Sequence, residues 1–103
     1  MIPLIEEHRA DIAALCEKFH VVRLEVFGSA AMGDFDEARS DVDFLVEFSP
    51  NHDLGPWLST YFDLKEALEE LLERDVDLVM GSAMKNPYFI GEANRTRKMV
   101  YAA

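Results

Sequence analysis

Apolar residues recur near the amino terminus at Ile2, Ile5, Ile12, Leu15, Cys16 and Phe19, a spacing that gathers them on one side of a helix over residues 2–19. Residues 21–27, Val-Val-Arg-Leu-Glu-Val-Phe, then alternate with the period of a strand. Gly28-Ser29 ends that strand, and Ala30, Ala31 and Met32 open a short helix that Gly33 breaks. A second strand is predicted over residues 41–48. Val42, Phe44, Val46 and Phe48 take its core face, and Asp41 and Asp43 take the other. Pro50, Asn51, Asp53, Gly55 and Pro56 supply turn chemistry between the two halves of the chain.

Trp57, Tyr61, Leu64, Leu68 and Leu71 form the apolar stripe of a further helix, whose Glu66, Glu69, Glu70 and Glu73 read as a solvated face. Residues 75–80 predict a third strand. Asn86-Pro87 is a helix start, since asparagine caps and proline fits the first helical position, and Lys98 to Tyr101 finishes as a short extended tail. The sum is an α/β (α+β) domain with a three-stranded mixed sheet flanked by helices.

At 103 residues the chain is expected to be one domain, residues 1–103, with one core and no separate substrate domain, so a second substrate is held partly by a partner. Half of the residues are hydrophobic and 29% are charged, the balance of a soluble globular protein. No apolar stretch approaches the roughly 20 residues that span a bilayer. Glu6, Glu7 and Asp11 interrupt what would otherwise be a signal peptide, which makes a cytoplasmic location the expectation. The single Cys16 has no disulfide partner within the chain and falls on the first helix's apolar stripe, a core position.

A net charge of -10 repels nucleic acid, so direct nucleic-acid binding is not expected, and a nucleotide needs metal ions to bridge it to the protein. Asp41 and Asp43 answer that need. On one face of a strand they stand about 6.6 Å apart, and aspartate is a poor strand former unless something compensates it. Asp77, between Val76 and Leu78 in the third strand, has the same requirement. Mg2+ prefers hard oxygen ligands and keeps room for phosphate oxygens. The Gly28-Ser29 turn can direct backbone N–H groups and a hydroxyl toward a phosphate. His8, His20 and His52 lack the short spacing of zinc ligands, and His8 reads as a residue at the edge of the core. Arg95, Arg97 and Lys98 form the one basic cluster, placed to offset a helix dipole at a carboxyl end, with a phosphate or partner role as the alternative.

Gly28-Ser29, eleven intervening residues and Asp41-Val42-Asp43 together resemble the signature of the polymerase-beta-like nucleotidyltransferase superfamily. The amino-terminal helix, the segment Ser40 to Val46, the strand Val76-Asp77-Leu78-Val79 and the start Asn86-Pro87-Tyr88 extend the likeness to minimal nucleotidyltransferases, the antitoxins encoded beside HEPN-domain toxins. The resemblance implies the small nucleotidyltransferase fold. It implies that Gly28, Ser29 and Ser40 contact a nucleoside triphosphate and that Asp41, Asp43 and Asp77 bind two catalytic Mg2+ ions, for which Mn2+ can substitute. The implied reaction moves AMP from ATP, or another nucleoside monophosphate, to a hydroxyl, in antitoxin members a tyrosine of the HEPN toxin.

Two features depart from the family pattern. One residue more than is common separates Ser29 from Asp41, and Met32 stands where an arginine is usual. Arg39, two residues before Asp41, can supply the missing charge to the nucleotide. Two other functions use the same fold: an antitoxin that masks its toxin by binding alone, and transfer to a small molecule such as an antibiotic.

Overall fold

The structure, a computed structural model, describes residues 3–28, 42–50, 58–80, 91 and 97–103. Among them the elements run α1 (Pro3–Glu7), α2 (Arg9–Lys18), β1 (Val21–Phe27), β2 (Val42–Phe48), α3 (Ser59–Leu72), β3 (Val76–Met80) and β4 (Lys98–Ala102). The strands lie in the order β3-β2-β1-β4. β1 is antiparallel to both β2 and β4, whereas β2 and β3 are parallel and joined through α3. The sheet is therefore mixed, as expected, and among the described residues it has four strands rather than three. Residues 98–101, read as an extended tail, pair with β1 from Val26↔Lys98 to Arg23↔Ala102.

The strand alternation translates directly into packing. Val42, Phe44 and Val46 of β2 join Leu24 and Val26 of β1 and Val76 and Leu78 of β3 in one core with Ile5, Ile12, Cys16, Leu64, Leu68 and Leu72 of the helices. Phe48 packs at its margin. Complete burial of each such aliphatic or aromatic side chain is worth about 1.5–3 kcal/mol. Leu72 rather than Leu71 completes the buried stripe of α3, with Leu71 half-buried, and Trp57 lies outside the described residues. On the opposite face Phe27 and Leu45 form a second, smaller cluster against Val79. β2 is thus covered on both faces over residues 44–46.

The single amino-terminal helix expected over residues 2–19 is divided at His8. The His8 N–H donates to Ile5 O at 3.2 Å, a tightened turn, and its ring Nδ1 donates to the Leu4 carbonyl at 2.8 Å. His8 is half-buried, at the edge of the core as expected. α2 ends through His20, which takes φ 61°, the left-handed conformation that commonly closes helices. The His20 carbonyl then accepts from Ser49 N–H at 2.9 Å, which ties this turn to the end of β2.

Among the described residues β3 is an edge strand, and side chains of α3 take up two of its outward backbone groups. Glu69 accepts from Val76 N–H at 3.2 Å while pairing with Lys65 at 3.3 Å, and the Tyr61 hydroxyl donates to the Leu78 carbonyl. Glu66, Glu70 and Glu73 are exposed as expected, but Glu69 is not simply part of a solvated face. A net hydrogen bond of this kind contributes about 1 kcal/mol.

Cys16 is fully buried, and burial pushes its thiol up to about 12. A group whose pKa is raised on folding stabilises the fold fully below its unfolded pKa, and that contribution is lost as pH climbs through the folded value. Between pH 9 and 12 the wild-type chain should therefore lose stability more steeply than Cys16→Ala. Urea unfolding across that range reads the difference, and parallel slopes would mean that the thiol ionises freely in the folded chain.

Candidate active site

Two aspartates face each other across the parallel strands. Asp43 of β2 is the register partner of Asp77 in β3, and on its other side Asp43 pairs with Phe27 of β1. Their neighbours Val42, Phe44, Val76 and Leu78 belong to the helix-side core, so by alternation both carboxylates rise from the opposite face. Adjacent strands lie about 4.8 Å apart, within reach of a shared cation. Asp43 is half-buried beside the Phe27-Leu45 cluster and Asp77 is exposed. Apolar packing therefore fixes the floor of the site while one carboxylate stays open to solvent.

Gly28 closes the site from the end of β1. It holds φ 71°, and a Cβ at this position would lie 2.9 Å from Asp43 Oδ2. The glycine thus meets two requirements at once, a left-handed turn and a carboxylate lying against its backbone. The sequence expectation of a tight turn at Gly28 is met. Its neighbour Ser29 lies outside the described residues, as do Met32, Arg39, Ser40, Asp41, Arg95 and the Asn86-Pro87 helix start. Among the described residues no group of three or more His, Cys, Asp or Glu side chains converges. What the fold brings together is Gly28, Asp43 and Asp77.

The same face carries a cluster that the sequence did not reveal. Glu25 is 4% exposed and is held between two guanidiniums, Arg23 Nε at 3.4 Å from Oε1 and Arg97 Nε at 3.2 Å from Oε2. In the sequence, Arg23 and Glu25 have no role beyond the alternation of β1. The one available signal was Phe27, whose bulk on the same face shows that this face is not wholly exposed. The expectation that Arg97 and Lys98 offset a helix dipole is corrected: Arg97 pairs with Glu25, and Lys98 opens β4.

Residues 12–100 match the nucleotidyltransferase domain family. The chain belongs to that family. It is 44% identical over 72 residues to the protein adenylyltransferase MntA of Thermococcus cleftensis, covering 70% of this chain and 68% of the relative. A solved structure described as a candidate minimal nucleotidyltransferase superposes with a TM-score of 0.72 at 33% identity, over 90% of this chain and 89% of that one. The fold is shared as well by a chain from the complex of a tri-AMPylated Shewanella oneidensis HEPN toxin with its MNT antitoxin. That match has a TM-score of 0.65 at 18% identity, over 96% of this chain and 73% of that chain. No helix among the described residues is long and apolar enough to cross a membrane.

Proposed function

We propose that this chain transfers AMP from ATP to a hydroxyl of a partner protein, a tyrosine of a HEPN-type toxin, and so acts as an antitoxin in the cytoplasm. The observation that carries the reading is the pairing of Asp43 with Asp77 on one sheet face, with Gly28 against the Asp43 carboxylate. The named activity of the archaeal relative and the AMP-modified toxin in the Shewanella complex support the choice of nucleotide and acceptor.

The donor set suits a divalent cation of the Mg2+ class, because paired carboxylates offer hard oxygens and Gly28, lacking a side chain, lets the Asp43 carboxylate lie against its backbone. Asp43 and Asp77, joined by Asp41, would hold the metal. Two bound Mg2+ ions, replaceable by Mn2+, would neutralise phosphate charge and template the in-line displacement.

The chain's own groups do the positioning. Gly28 lets the backbone come close to the phosphates, while Ser29, Ser40 and Arg39 donate hydrogen bonds to them. Asp77, the more exposed carboxylate, accepts the proton of the attacking hydroxyl. That oxygen bonds to the α-phosphorus, the α–β phosphoanhydride bond breaks and pyrophosphate departs.

Incubating the chain with ATP, magnesium and its cognate toxin should add the mass of AMP to the toxin, read by intact-protein mass spectrometry. A toxin left unmodified by all four nucleoside triphosphates would overturn the proposal in favour of masking by binding.

A further inference from the structure

The register across the sheet aligns more than the two aspartates. β4 pairs with β1 at Val26↔Lys98, so residue 97 stands level with Phe27, which pairs with Asp43, which pairs with Asp77. Asp77, Asp43, Phe27 and Arg97 thus form one row across four neighbouring chain segments. With strands about 4.8 Å apart, the backbone at residue 97 lies about 10 Å from that at Asp43. The Arg97 side chain shares the aspartates' face, because its partner Glu25 lies on the Phe27 side of β1.

Its anchoring is notable for its charge. The Glu25 side chain is 6% exposed, whereas Arg23 and Arg97 are 47% and 38% exposed. A buried carboxylate needs a partner, and one guanidinium supplies it. Two guanidiniums share that one buried carboxylate, and Arg23 also has Glu47 opposite it on β2, on a chain whose total charge is -10. Both arginines face Glu25 through Nε, and a guanidinium carries five N–H donors in a rigid fork, more than one carboxylate oxygen takes. The remaining donors suit a planar or tetrahedral oxyanion.

We propose that Arg97, anchored by Glu25, binds the β- and γ-phosphates of the nucleoside triphosphate, drawing the polyphosphate from the aspartates toward β4. This rests on the nucleotidyltransferase reading above. It gives the site a fixed cation set by sheet register, in a chain that has Met32 where an arginine is usual in the family.

The test is equilibrium binding of ATP and of AMP to the full chain with magnesium, comparing wild type, Arg97→Gln and Asp43→Asn. Glutamine keeps an amide N–H donor, with shorter reach, and removes the charge and the guanidinium fork. ATP affinity should fall roughly ten- to a hundredfold in Arg97→Gln, the scale of a hydrogen bond to a charged group, while AMP affinity stays within twofold of wild type. Arg97→Met, which keeps the aliphatic stem, replaces the glutamine variant if that one does not fold. An unchanged ATP to AMP ratio overturns the assignment, as does an equal loss of both ligands, which a purely structural latch would give. If wild type binds ATP, Asp43→Asn does not and Arg97→Gln does, only this inference fails. If wild type binds no nucleoside triphosphate, the proposed function fails with it.

Discussion

Asp43→Asn is expected to remove two properties together: toxin AMPylation, and the rise in melting temperature that magnesium or manganese gives the wild-type chain. A ligand that binds only the folded state stabilises it by about 2.7 kcal/mol at a hundred times its dissociation constant. Asp43 and Asp77 are register partners, so under the proposed function the increment is expected to depend on both and to vanish when either is neutralised. Differential scanning fluorimetry with and without magnesium measures the increment. An increment that persists in Asp43→Asn would place the metal elsewhere. Toxin neutralisation in cells settles the remaining choice, because full protection by Asp43→Asn at normal expression would mean inhibition by masking.

Gly28→Ala should produce the second large effect, through geometry rather than charge. An L-residue held at left-handed φ costs about 1–2 kcal/mol. The new methyl would meet Asp43 Oδ2 at 2.9 Å and push the carboxylate aside. Stability should drop by several degrees, since 1 kcal/mol moves the midpoint of a 60–100-residue domain by about 4–8 °C. Transfer should fall much further, on the order of a hundredfold, the cost of displacing a reacting group by about 1 Å. Assaying AMPylation well below the melting temperature separates the two. A folded alanine variant with wild-type turnover would show that the close approach of Gly28 and Asp43 does not matter to the chemistry.

The parts of this fold legible in the sequence are those where a period of two or of 3.6 meets a continuous apolar face. β1, β2 and β3 appear within a residue of their expected bounds, and Val42, Phe44 and Val46 point into the core as alternation requires. β4 was not legible as a strand because its main anchor is one residue, Val100, and its pairing with β1 is a long-range event. The division of the first helix is marked by a tightened backbone turn and one side-chain bond at His8, and the left-handed turn at His20 has no glycine to advertise it.

At the site, Gly28, Asp43 and Asp77 stood out as residues out of place in their local context. That Asp43 and Asp77 would be direct neighbours follows only from the parallel register through α3, which spacing along the chain does not encode. Periodicity assigns Glu69 to a solvated face, but the Val76 backbone seven residues on draws it inward, whereas Glu25, given no role by the sequence, is held by Arg97 from far along the chain.

The two bonds from α3 to β3 bear on how another protein can approach. An unprotected sheet margin invites a foreign strand, the route by which many domains associate or aggregate. Here a strand seeking to extend the sheet beside β3 would find Val76 N–H and the Leu78 carbonyl already committed to Glu69 and Tyr61. Both bonds flank Asp77, so a strand added there would first compete with side chains of α3. Under the proposed function, an acceptor tyrosine is therefore expected to reach Asp77 over the sheet face rather than by strand addition at β3.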